Sequence, residues 1–147
     1  MKKQSRSSCP LGVSLDIFGD RWTLLILRDV LLADKVKYQD FLESREGIST
    51  NLLAQRLDFL VKNRFLIRSK DPSNKKQYFY APTKKALDLL PIMCHIINWG
   101  LKYHPDAQTN PVVDKMLRNE KQFIEKIFHK FKPKNKKAKK HSGSRSN

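Results

Sequence analysis

Apolar positions along the chain change spacing several times, and each change marks an element. The stretch LGVSLDIFGD (11–20) predicts a short helix carrying Leu15 and Phe18 and closed at Gly19. Asp20 then caps RWTLLILRDVLL (21–32), whose apolar residues lie nearly all round, as in a central buried helix. YQDFLES (38–44) is a short amphipathic helix with Phe41 and Leu42, REGI makes a turn, and Ser49 is a good N-cap for a helix running to Lys62. The period then shortens: RFLIRSK and QYFYA are β-prone, and Asp71, Pro72 and Asn74 between them suit a hairpin turn. Thr83 is placed to cap one long helix to Tyr103, kinked at Pro91 and loosened at Gly100. Asn110 and Pro111 open a final helix to Phe131, with Val113, Met116, Leu117, Phe123, Ile124, Ile127 and Phe128 mostly at helical spacings.

The resulting fold class is mainly α with a small β-hairpin, three helices followed by a two-stranded hairpin. That order is a winged helix-turn-helix with an extra C-terminal helix, and residues 38–62 form the helix-turn-helix. The expected division is a basic arm at 1–8, a winged helix-turn-helix domain at 9–106, an amphipathic helix at 107–131 and a disordered basic tail at 132–147.

Within the helix at 49–62, a turn of about 100° per residue from Asn51 puts Gln55 at about 40°, Lys62 at about 20°, Asp58 at about 340° and Ala54 at about 300°. Leu53, Leu57 and Leu60 cluster on the opposite side. One face packs, and the other presents a narrow row of two amides, a small residue and a lysine. A major groove admits such a helix, Asn and Gln pair with adenine, and Ala touches a thymine methyl. Ser49 and Thr50 at the helix start suit backbone phosphates. Arg56, at about 140° on the same wheel, reaches either a phosphate or a carboxylate within the domain. Lys70, Lys75 and Lys76 stand where a wing would touch backbone.

Charge raises this above an ordinary solvated face. The chain of 147 residues holds 30 basic and 14 acidic residues, net +16. Residues 9–44 sum to −2, whereas 45–85 and 132–147 each sum to +7. A polyanionic partner follows, and double-stranded DNA fits the segment that carries the strip. An RNA- or ribosome-binding winged helix is the alternative, but sequence-specific RNA readers stack bases on exposed aromatics, which the strip lacks. No nucleophile–base pair, phosphate loop or metal set is visible, so neither catalysis nor a cofactor is expected. Cys9 and Cys94 are too few and too distant for a disulfide framework, and no apolar run spans a bilayer. A cytoplasmic protein without membrane contact is expected.

These residues resemble the HxlR family of bacterial winged-helix transcription regulators. CPLGVSLDIFGDRWTLLILRDVL (9–31), GISTNLLAQRLDFL (47–60) and NWGLKY (98–103) carry the resemblance, the Trp22–Arg28 run most specifically. The chain departs from it where the family usually has Gly and Arg64 stands here, at Pro82–Ala86, and in a wing reading DPSNKKQ. The resemblance implies a homodimer on a pseudo-palindromic operator with half-sites about one helical turn apart. It implies a dimer surface built from the first and C-terminal helices, with Leu15, Phe18, Met116, Phe123, Ile124, Ile127 and Phe128 as candidates. Cys9 matches a cysteine that senses oxidants or electrophiles in some members, and Lys2, Lys3 and Arg6 nearby would favour its thiolate.

Overall fold

The structure, a computed structural model, describes residues 8–132. The expected basic arm, apart from Ser8, and the expected basic tail, apart from Lys132, lie outside the described residues. Pro10 opens α1 (Pro10–Phe18), where its missing N–H costs nothing. The helix stops at Gly19, whose N–H donates to Leu15 O at 2.8 Å. Asp20 starts α2 (Arg21–Leu32) by accepting from the Trp22 and Thr23 N–H groups at 2.8 and 3.1 Å, and from the Thr23 hydroxyl at 2.6 Å. Those bonds replace partners that the first turn of a helix lacks. Ile26, Leu27, Val30 and Leu31 of α2 are buried, which makes it the central helix that its all-round apolar pattern predicts.

The helices α3 (Tyr38–Leu42) and α4 (Thr50–Lys62) follow, then β1 (Leu66–Lys70) and β2 (Tyr78–Pro82). The strands pair antiparallel, from Leu66 opposite Pro82 to Lys70 opposite Tyr78. The hairpin is fixed to the helices by a bridge between Lys37 and Phe79 and by the Tyr80 N–H donating to Val36 O at 2.8 Å. Leu53, Leu57 and Leu60 of α4 join Phe41, Phe65, Leu66 and Tyr80 in one core with α2. Helix, turn, helix and wing are thus one packed unit.

Two long helices expected from the sequence are each divided. The first is α5 (Lys84–Leu87) and α6 (Leu90–Tyr103), so Pro91 lies in the first turn of a new helix instead of kinking an old one. Thr83 occupies the N-cap position, but its hydroxyl donates to Arg64 O at 2.7 Å and leaves the helix end uncapped by its side chain. The second is α7 (Pro111–Arg118) and α8 (Glu120–Lys130), broken at Asn119. Asn119 has an extended ψ of 90°, and its side chain accepts from the Gln122 N–H at 3.0 Å, capping α8. The break lets α8 fold back. Met116 and Phe123 are buried beside Cys94 of α6, and Ile124, Ile127, Phe128 and Phe131 pack against the main core. The stripe assigned above to a dimer surface is therefore largely consumed within the chain.

Candidate nucleic-acid interface

The turn between α3 and α4 is held from below. Asp29 of α2 is buried at 4% exposure and accepts from Arg28 Nε and Nη2, Lys35 Nζ and the Ser44 hydroxyl. The other side of the Arg28 guanidinium donates to Glu46 in the turn, at 2.6 and 3.2 Å. This contact holds the Glu46 carboxyl well below the usual range, at about 2. Gly47 follows at φ +67°, a left-handed conformation that glycine takes without strain. Ile48 is buried, and the Ser49 hydroxyl accepts from the Leu52 N–H as α4 begins. From the other side, the Tyr38 hydroxyl donates to Thr50 O at 2.7 Å. The start of α4 is consequently fixed from both α2 and α3.

Thr50, Asn51, Ala54, Gln55, Asp58 and Lys62 are all exposed, as is Ser49, so the strip read from the wheel is a real surface. Two of its charges are internally matched. Lys62 Nζ lies 2.6 Å from Asp58, which offsets the one carboxylate on this face. Arg56 turns away from the strip to Asp20, 3.2 Å from its carboxylate, and its Nε is buried with no hydrogen-bond partner among the described residues. Of the two partners expected for Arg56, a phosphate or a carboxylate within the domain, the single chain adopts the carboxylate. In the wing, Lys70, Lys75 and Lys76 are exposed around a turn held by Asp71, which accepts from the Ser73 N–H and hydroxyl at 2.8 and 2.6 Å.

Cys9 is exposed at the N-cap of α1, and the N–H groups of Gly12 and then Leu11 lower its thiol from the ordinary value. Cys94 is buried, and desolvation pushes it up to about 11. Neither forms a disulfide within the chain. Leu15 is 53% exposed, whereas Phe18 is half-buried against the core. A surface that sequence reasoning missed lies on α6, where Ile92, Ile96, Trp99 and Tyr103 are all exposed. Their steps of four, three and four residues mark one helix face, but α6 also carries buried Leu90, Met93 and Cys94, so its pattern is apolar on two sides. Lys37, Tyr38 and Gln39 were missed as well. They face the wing across a small cavity, a juxtaposition created by the Lys37–Phe79 bridge and the Val36–Tyr80 contact.

No group of three or more metal-ligating side chains occurs among the described residues, and no helix there is long and apolar enough to cross a membrane.

Comparison with known proteins agrees with this arrangement. The uncharacterized HTH-type transcriptional regulator Rv3095 of Mycobacterium tuberculosis is 30% identical over 102 residues, covering 69% of this chain and 63% of its own. This chain therefore spans less than two thirds of the length of that relative. The uncharacterized HTH-type transcriptional regulator YdeP of Bacillus subtilis is 26% identical over 95 residues, covering 65% of this chain and 73% of its own. Among solved structures, PA1607 superposes with a TM-score of 0.64 at 31% identity, covering 72% of this chain and 74% of that one. The reduced form of the transcriptional regulator YodB from B. subtilis gives 0.53 at 25% identity, covering 69% and 100%. Residues 17–108, which run from the end of α1 past α6, match the HxlR-like helix-turn-helix family, and the chain belongs to it.

Proposed function

We propose that this protein is a DNA-binding transcriptional regulator that acts in the cytoplasm as a homodimer on a pseudo-palindromic operator. The observation that carries this reading is the exposed row of Asn51, Ala54 and Gln55 on a helix held at its start by Glu46 and Tyr38. With α4 in the major groove, Asn51 and Gln55 read base edges, while Ser49 and Thr50 meet the backbone. Lys62 and the wing lysines 70, 75 and 76 add phosphate contacts. Arg56 serves by aiming the helix through Asp20. Footprinting the wild type on the intergenic region beside its own gene is the test. Asn51→Ala and Gln55→Ala should each weaken the protected site about 10- to 100-fold, as loss of a bidentate base contact does. A footprint that neither change alters removes the assignment.

The dimer surface is the exposed row Ile92, Ile96, Trp99 and Tyr103 of α6, with Leu11 and Leu15 of α1, two clusters of large apolar side chains that the single chain leaves uncovered. The homodimer that the family resemblance implies and the need for two half-sites support a second copy as the occupant. Cys9 is carried as a redox-responsive residue because it is exposed, its thiol is lowered, and it stands one residue before α1. Mild diamide treatment followed by mass spectrometry should modify Cys9 and spare Cys94. Equal labelling of both would end this part of the reading.

A further inference from the structure

A cleft of about 1250 Å³ opens between α2, the turn that precedes α4, the end of α6 and the start of α7. Its floor is apolar, formed by Leu32 of α2, Ile97 and Leu101 of α6, Ala107 of the following loop, and Val112 and Val113 of α7. All six are half-buried, so three helices and a loop bring apolar surface together without covering it. Gly100 of α6 also lines the cleft, and a side chain built there would meet nothing within 4 Å. Glycine weakens a helix interior relative to alanine, and Gly100 has no left-handed φ that would require it. What its missing side chain leaves is open space in the cleft.

The rim is charged. Asp29 is held by Arg28 and Lys35, and Glu46 by the same Arg28. Arg21 and Arg45 line the cleft, are exposed, and belong to none of these pairs. Glu43 is the remaining acid of the lining, so the unmatched charge is positive. Apolar walls with a few charged groups at the edge are the pattern of a small-molecule site. The cleft exceeds the about 300–1000 Å³ usual for such sites, which leaves room for water beside a ligand.

We propose that this cleft binds a small organic acid with an apolar body, a bicyclic aromatic or medium-chain carboxylate. The body lies on Ile97, Leu101 and Val113 beside Gly100, and the carboxylate turns to the rim arginines, Arg21 and Arg45. A neutral ligand of the same shape gains nothing from that rim, and a cation is repelled by it. The bound acid touches the Ser44–Glu46 turn, which Arg28 holds at the entry to α4, and α6, whose neighbouring face is assigned to the second copy. Occupancy is thereby coupled to the placement of the reading helix. The coupling rests on the DNA-binding reading above, whereas the site itself does not.

The test is calorimetric and uses the full chain, with naphthoate, decanoate and the neutral naphthylmethanol as probes. The two acids should each saturate one site per chain. Naphthylmethanol should bind about 10-fold more weakly than naphthoate, the loss expected when a charge-assisted hydrogen bond is removed. Arg21→Gln together with Arg45→Gln should bring naphthoate down to the affinity of the alcohol. Gly100→Ala should retain binding, whereas Gly100→Leu fills the cleft and should abolish it. Both Gly100 variants should melt no lower than wild type, because alanine and leucine favour a helix more than glycine. Sedimentation equilibrium checks that Gly100→Leu keeps the wild-type oligomeric state; if it does not, the arginine variant carries the test. Binding of neither acid to wild type overturns the proposal. So does binding that Gly100→Leu leaves intact, which would place the probe on the exposed row of α6, or equal affinity for acid and alcohol. Saturating naphthoate should also change the affinity for the footprinted operator at least about 5-fold. An unchanged operator affinity with naphthoate bound overturns the coupling and leaves the site and the DNA reading standing. If wild type protects no DNA, the DNA reading and the coupling fall together, and calorimetry still decides the site.

Discussion

At the scale of single residues, Arg64 shows how a departure in sequence becomes an energy. It adopts φ +60°, a conformation that costs an L residue about 1–2 kcal/mol. Glycine relieves that strain but loses more backbone freedom on folding, about 0.5–1 kcal/mol. Arg64→Gly should therefore stabilise the protein by about 0.5–1 kcal/mol in urea unfolding, while Arg64→Val should destabilise it. The glycine usual at this position was visible as a missing match, but the reason for it is a torsion angle that no side-chain pattern encodes. Glu46 gives a pH-dependent counterpart. Its carboxyl is lowered from 4.5 to about 2 by Arg28, so its contribution is complete above the unfolded value and disappears as pH falls from 4.5 towards 2. Part of the pair is open to solvent, so Glu46→Gln should cost only about 1–2 kcal/mol at neutral pH. The variant should also show a shallower loss of stability between pH 4.5 and 2 than wild type; parallel acid profiles would contradict this. Arg56 marks the limit of the helical wheel, whose angles place a side chain on a flank without saying which neighbour it meets.

At the scale of elements, the short pieces were legible and the long ones were not. Asp20, Ser49 and Asn110 occupy the cap positions that their residue types predict, because capping depends on a few adjacent bonds. The break at Asn119 carries the same kind of local signal, Asn followed by Glu120, although the apolar stripe runs on across it. That stripe was expected to form the dimer surface. Its Met116 and Phe123 fill the space beside Cys94, and the unfilled face belongs to α6. Ile96→Glu and Trp99→Glu should each raise the dimer dissociation constant at least about 100-fold, by putting an unpaired charge into a desolvated contact. Sedimentation equilibrium reads that outcome directly, with circular dichroism unchanged because both side chains are exposed in the single chain. Phe128→Ala should instead lower the melting temperature and leave association intact.

At the scale of the whole molecule, charge and packing divide the work. The segment 45–85, with net +7, contains the turn, α4 and the hairpin, whereas α1–α3 and α6 are close to neutral or acidic. The basic residues 132–147 add a second +7, and deleting 133–147 should flatten the salt dependence of DNA binding because fewer counterions are released. An unchanged slope would mean that these residues take no part. The three-helix and hairpin order was readable because each element is locally specified, but the cavity between α3 and the wing depends on residues about 40 positions apart and needed the folded chain. The Asp20–Arg56 pair extends beyond stability. Burial works against the charged form of Asp20, yet Thr23, Trp22 and Arg56 together hold its carboxyl below the ordinary value. One carboxylate therefore both starts α2 and sets the azimuth of α4. Gly19 alone separates it from α1, whose outer face is assigned to the partner subunit. In the proposed dimer, the aim of each reading helix would thus be referenced to the seam. Protonating Asp20, or shifting α1, would detune the angle between the two reading helices before it unfolded either subunit.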